Sequence, residues 1–236
     1  MNFHDQIQLV PVYLAAHLQL TLLSLTLGIL ISLPLGLLAV RIAPLEKLIL
    51  SLAGIIQTIP SLALLAVIVP LLAGLKLPSI GFLPALIGLT LYSLLPILRN
   101  TVTGLRGVDP ACIEAALGVG MDSRQKLFKV ELPLAMPVIV AGIRTAAVWT
   151  VGMATLSTPI GAPSLGNFIF TGLQTRNYAS VITGSAVAAA LALAIDGLIR
   201  LVEHGLQERK RRELVPATAI GVILVGLALW PLLSRS

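Results

Sequence analysis

Charge is the scarcest ingredient of this sequence. Only 11% of the 236 residues are Asp, Glu, Lys or Arg, where a soluble domain carries roughly a quarter. That excludes an ordinary water-soluble globule. With 57% hydrophobic residues and a mean hydropathy of +0.99, the chain has hydrocarbon as its main solvent. Cysteine is nearly absent, and the single Cys112 excludes an internal disulfide. His4, His17 and His204 lie far apart without clustered ligands around them, so no metal site is expected. There is no glycine-rich phosphate loop ending in Lys-Ser/Thr and no nucleophile–base pair, so the chain is not expected to be an enzyme or to hold a cofactor of its own. Residues 1–17 contain no Lys or Arg. The basic start of a cleavable signal peptide is therefore missing, and the first apolar run is expected to stay as a membrane span.

What is present is a series of long apolar runs. Residues 18–40 carry no charge and are long enough to cross a hydrocarbon core of about 30 Å. Residues 48–75 form a second uncharged run, long enough to tilt or bend, with Gln57, Thr58, Pro60 and Ser61 near its middle. A third span is expected at 77–98, a fourth at 137–160 with Arg144 inside it, and a fifth at 178–199 with Asp196 near its end. Residues 161–177, rich in Gly, Ser, Asn and Thr, read as a loop or re-entrant turn. A sixth uncharged run covers 214–233. The fold class is thus all-α and polytopic: five spans in residues 1–213, and a further helix in 214–236.

The net charge of +6 could indicate nucleic acid, but the basic residues sit between the apolar runs. The partner they indicate is the membrane and not nucleic acid. Arg41, Lys47, Arg99, Arg106, Arg124, Lys126, Lys129, Arg200, Arg209, Lys210, Arg211 and Arg212 fall on one side; Lys76, Arg176 and Arg235 fall on the other. Cytoplasmic loops gather Lys and Arg, so the first side is the cytoplasm and the N-terminus lies outside.

One polar stretch interrupts the apolar pattern, at residues 109–137. Asp109-Pro110 is a helix start, with a side-chain acceptor for orphan amides and a proline at the first turn. Gly118 and Gly120 stop that helix after about two turns. Ile113, Ala116, Leu117 and Gly120 fall on one side at helical spacing. Asp122 or Ser123 can cap a second helix carrying Arg124, Lys126 and Lys129, and Pro133 and Pro137 are expected to break the path back into the membrane. Physics alone leaves two roles open: a partner-dependent docking elbow, or a basic elbow resting on anionic headgroups.

Other candidates also have two readings. Gln57, Thr58 and Ser61 beside Pro60 either line a pathway or mark a packed kink. Tyr92 near Pro96 offers a ring face to a quaternary ammonium or is simply packed. Trp149 and Met153 face either the path or a subunit partner. Arg144 is expected to snorkel or to form an ion pair, and Asp196 to pair with Arg200 four residues on.

The order Glu114-Ala115-Ala116, Gly120, Val130, Leu132-Pro133 resembles the EAA loop of ABC-importer permease subunits, with Val130 where the family pattern has Ile. The order of spans over about residues 15–205 is similar too. The resemblance implies a five-helix permease core in a bacterial inner membrane. It also implies a coupling helix seated in a cytoplasmic ATPase that uses ATP-Mg, an extracytoplasmic substrate-binding protein, and a second permease subunit, identical or paralogous. The segments 56–63, 95–101, 154–156, 160–162 and 165–170 look like those of osmoprotectant permeases for glycine betaine, choline and related amines. Pro163-Ser164 departs from the Gly-Gly frequent there. Another small solute such as an amino acid is the alternative, and ATP-independent secondary transport a more distant one.

Overall fold

A computed structural model describes residues 3–207. The expected sixth span at 214–233 lies outside the described residues. Among the described residues, nine α-helices follow one another: α1 (Phe3–Ala39), α2 (Ala43–Thr58), α3 (Ser61–Gly74), α4 (Phe82–Arg106), α5 (Pro110–Gly118), α6 (Ser123–Lys126), α7 (Leu132–Ala154), α8 (Gly166–Gln174) and α9 (Tyr178–Gln207). A π-helical turn, Leu127–Glu131, joins α6 to α7, and a 3-10 segment, Thr155–Ile160, follows α7.

The centre of the bundle is α4. Of its membrane-crossing window 61% is buried, against 11% for α9, which therefore lies at the periphery. Small residues set the approach of α7 to α4. A Cβ placed on Gly142 would lie 2.5 Å from the Asn100 Cβ and 2.8 Å from the Pro96 carbonyl oxygen, so only glycine permits this crossing. Around it, Leu18, Ile97, Val151, Leu165, Phe168 and Leu191 form an apolar core joining α1, α4, α7, α8 and α9.

Several expectations are corrected by the structure. The first span begins well before residue 18, at Gln8, because 8–17 is nearly as apolar as the rest and His17 is buried within it. The run 48–75 does bend, as its length allows, into two helices at 102°. Proline forces its predecessor out of the α region, and Ile59 is extended (φ −73°, ψ 128°) just before Pro60. The third span is displaced along the chain, to 82–106: Gly81 at φ 92° delays its start, and Arg99 lies within the helix on an exposed face. Pro133 and Pro137 do not break the chain's return. The Leu132 amide bonds back to the Leu127 carbonyl, five residues earlier, and this widened turn leads directly into α7 with Pro133 in its first turn. The polar stretch therefore holds one free short helix, α5, while α6 opens a continuous helical run, Ser123–Ile160. The stretch 161–177, expected as a loop or re-entrant turn, contains the short helix α8.

The two ends of the bundle are chemically distinct. At one end Arg106 pairs with Glu46, and Lys126 with Glu131 at 3.2 Å. Leu37, Arg41, Leu105 and Lys126 line a groove at the same end. At the other end the Gly81 amide donates to the Ile160 carbonyl at 2.8 Å, tying the start of α4 to the 3-10 segment.

Candidate functional site

The elbow is held by local chemistry. The Asp109 carboxylate accepts the Ala111 amide at 2.9 Å, and Pro110 follows in the first turn of α5. Gly120 takes a left-handed φ of 78° past the helix end, while the Met121 amide closes on the Ala116 carbonyl at 3.0 Å. Asp122, not Ser123, caps α6. It accepts the Arg124 and Gln125 amides at 2.8 and 2.7 Å, and Gln125 Oε1 accepts the Asp122 amide at 3.2 Å.

This geometry divides the face expected from helical spacing. Ala116 is buried, and Ile113 packs on Leu105, Val108, Ala135 and Ile139. Leu117 and Gly120 instead point outward. Glu114 and Ala115 are exposed, as is Pro133; Val130 and Leu132 are half-buried. Outward-facing Leu117, Val119 and Phe128 are 54%, 74% and 53% exposed. Large apolar side chains at the charged end of a membrane protein indicate a covering partner. Sequence spacing missed Val119 and Phe128 as surface residues, although both are apolar residues stranded in the polar stretch. Beside them runs an open apolar groove lined by Phe128, Leu132, Pro133, Met136, Pro137 and Leu206.

The structure brings Gln57, the Ile59–Pro60 bend and Tyr92 together. Pro96 has no amide to give the carbonyl of Tyr92, four residues earlier, and Gln57 Nε2 donates to that carbonyl at 3.0 Å. In return the Tyr92 hydroxyl donates to the Ile59 carbonyl at the bend. Two proline defects thus satisfy each other across α2–α3 and α4, as the apolar layer requires. Thr58 is exposed and bonds its own helix through the Ile55 carbonyl, at 2.7 Å. Ser61 is half-buried at the start of α3, and Pro60 is exposed. Met153 packs in the cluster with Tyr92, Ile56 and Ile59, whereas Trp149, one turn earlier on α7, is 49% exposed.

Arg144 forms ion pairs with α9: its Nε lies 3.6 Å from Asp196 Oδ1 and its Nη1 3.0 Å from Glu203 Oε2. Asp196 thus turns to Arg144 and not to Arg200, because a guanidinium in the apolar layer draws the nearest carboxylates. His17, which the sequence placed only among scattered histidines, is fully buried and bonds to both Val151 and Leu165.

A bundle of membrane-crossing helices with a capped elbow at its charged end defines a multi-pass membrane protein. The model of the family described as "Binding-protein-dependent transport system inner membrane component" matches residues 15–210, and the chain belongs to this family. It is an inner-membrane permease component of a binding-protein-dependent importer. The chain is 42% identical to the choline transport system permease protein OpuBB of Bacillus subtilis over 190 residues, covering 80% of this chain and 85% of that protein. It is 40% identical to the carnitine transport permease protein OpuCB of Listeria monocytogenes (84% and 88% covered). To the osmoprotectant import permease protein OsmW of Salmonella typhimurium it is 41% identical (81% and 86%). Among solved structures, the MetNI methionine ABC transporter in inward-facing conformations shares the fold, with a TM-score of 0.76 at 24% identity over 87% of this chain and 99% of that one.

Proposed function

We propose that this chain is the membrane half of an ATP-driven importer for small quaternary amines, with α5 as the element that receives mechanical work. The observation that carries the reading is the elbow: α5, closed at one end by Asp109 and at the other by the turn at Gly120, presents Glu114 and bare Leu117 outward, with bare Val119 just past its end. Such a helix transmits force only when a partner covers it, and a cytoplasmic ATPase binding ATP-Mg fits that need. On this reading the end carrying the elbow faces the cytoplasm, and the end carrying the 3-10 segment meets the substrate-binding protein. A second permease copy, the same chain or a paralogue, completes the pathway.

The solute class comes from the relatives. Choline and carnitine, which their names contain, share a trimethylammonium head, and an aromatic cage is the usual receptor for it. Phe, Trp and Tyr make up only 4% of this chain, so the selective cage belongs to the binding protein. Tyr92 and Trp149 remain the aromatic positions proposed beside the path, with Gln57, Thr58, Pro60 and Ser61 at the bend.

The test is uptake of labelled choline and glycine betaine into proteoliposomes. The chain is assembled with an ATPase subunit and a binding protein of an importer of this family. ATP-dependent uptake is expected, and Glu114→Lys with Leu117→Asp should abolish it while leaving the chain inserted in the membrane. Solute uptake by the purified chain alone, driven by an ion gradient, would overturn the proposal.

A further inference from the structure

His17 is a titratable side chain with no solvent exposure, set in α1 where the chain crosses the apolar layer. Both ring nitrogens are used. Nε2–H donates to the Val151 carbonyl at 3.0 Å, and Nδ1 accepts the Leu165 amide at 3.3 Å. Only the neutral ring with its proton on Nε2 does both at once.

Its two partners are the roots of one hairpin. Val151 lies where α7 tightens into the 3-10 segment: the Thr155 amide goes to Gly152 and Met153, leaving the Val151 carbonyl for the imidazole. Leu165 stands at the start of α8, where a helix has amides without internal acceptors. Between these roots the hairpin is knotted by polar side chains. The Thr158 hydroxyl meets Ser164 Oγ at 2.9 Å, and Asn167 Oδ1 accepts the Ser164 amide at 2.9 Å. Its tip reaches α4 through the bond from the Gly81 amide to the Ile160 carbonyl.

We infer that His17 is a positioning residue of the transport cycle. It holds both roots of the 155–165 hairpin against α1, so that the outer end opens and closes with α1, α7 and α8 as one body. This rests on the import reading above, which puts the hairpin at the end facing the binding protein. The imidazole need not touch solute. The apolar core of Leu18, Val151, Leu165 and Phe168 still joins the same helices without it. Removing the imidazole therefore frees the hairpin before it dissolves the bundle, and that end of the bundle opens more readily.

The experiment uses the assembled transporter in proteoliposomes, with Cys112→Ser removing the native thiol. Ser157→Cys serves as a reporter, since Ser157 is fully buried in the 3-10 segment. His17→Phe and His17→Met fill the space without hydrogen bonds, and His17→Gln offers a donor and an acceptor. Two quantities are read, neither of them a stability: the rate at which an impermeant maleimide labels the reporter from outside, and solute moved per ATP. Loss of the bridge should raise labelling at least about tenfold, the lower end of what two buried unpaired groups control. Solute per ATP should fall at least several-fold, and Gln should recover much of both. If either apolar variant assembles and matches the wild type in both readings, the inference is overturned, whatever happens to its melting temperature. Absence of ATP-driven uptake by the wild type would instead sink the import reading, while the labelling comparison still tests the clamp.

Discussion

The Gln57–Tyr92 clamp and the His17 clamp meet the same difficulty in different ways. In each, an interrupted helix leaves backbone polar groups inside a layer with no water, and a distant side chain supplies the missing partner. At the bend, two side chains on two elements share the work, and the joint is half-open: Pro60 and Thr58 are exposed, and the bend angle is 102°. At the hairpin, one buried imidazole joins three elements inside the main core. The first arrangement is a clamp of two exchanged bonds at an exposed bend. The second is a weld. The difference suggests where a moving permease flexes, at α2–α3, and which elements travel together.

Mutations can sharpen or break that contrast. The largest effect on stability belongs to His17→Ala, which leaves the Val151 carbonyl and the Leu165 amide buried and unpaired at about 1–3 kcal/mol each. Thermal melting in detergent should show a marked loss, and a shift no larger than that of Tyr92→Phe would erase the distinction. Gly142→Ala comes next: its Cβ would press on Asn100 and Pro96, and overpacking of this kind costs about 1–3 kcal/mol. Tyr92→Phe and Gln57→Leu should each cost about 1 kcal/mol, and a double-mutant cycle should show coupling between them. Without coupling, the two bonds are separate repairs and not one clamp. The smallest change is expected for Asp196→Asn. Its ion pair with Arg144 is long, at 3.6 Å, and partly exposed, with side-chain exposures of 27% for Arg144 and 35% for Asp196, while Arg144 keeps Glu203 at 3.0 Å, so melting should move by less than about 1 kcal/mol.

The caps of the elbow are legible in the sequence. Asp109, Pro110, Gly120 and Asp122 act through bonds spanning two to five residues, and local chemistry of that kind is written in spacing. Pro133 misleads, because a proline reads as a break unless a widened turn precedes it, and the π turn at Leu127–Glu131 has no sequence mark. Gln57 and Tyr92 stand out singly by residue type. Their pairing is not legible, since 35 residues separate them.

From its residues alone the chain declares itself a polytopic helical membrane protein, and shows which end is basic and where the capped elbow lies. Those properties follow from the apolar length needed to cross a bilayer and from hydrogen bonds between near neighbours. Packing in three dimensions was needed to make α4 central, to join Gln57 to Tyr92, to turn Arg144 toward α9, and to set His17 against the 155–165 hairpin. Each of these depends on partners far apart along the chain, and a side chain's role there is set by which orphan group packing brings within its reach.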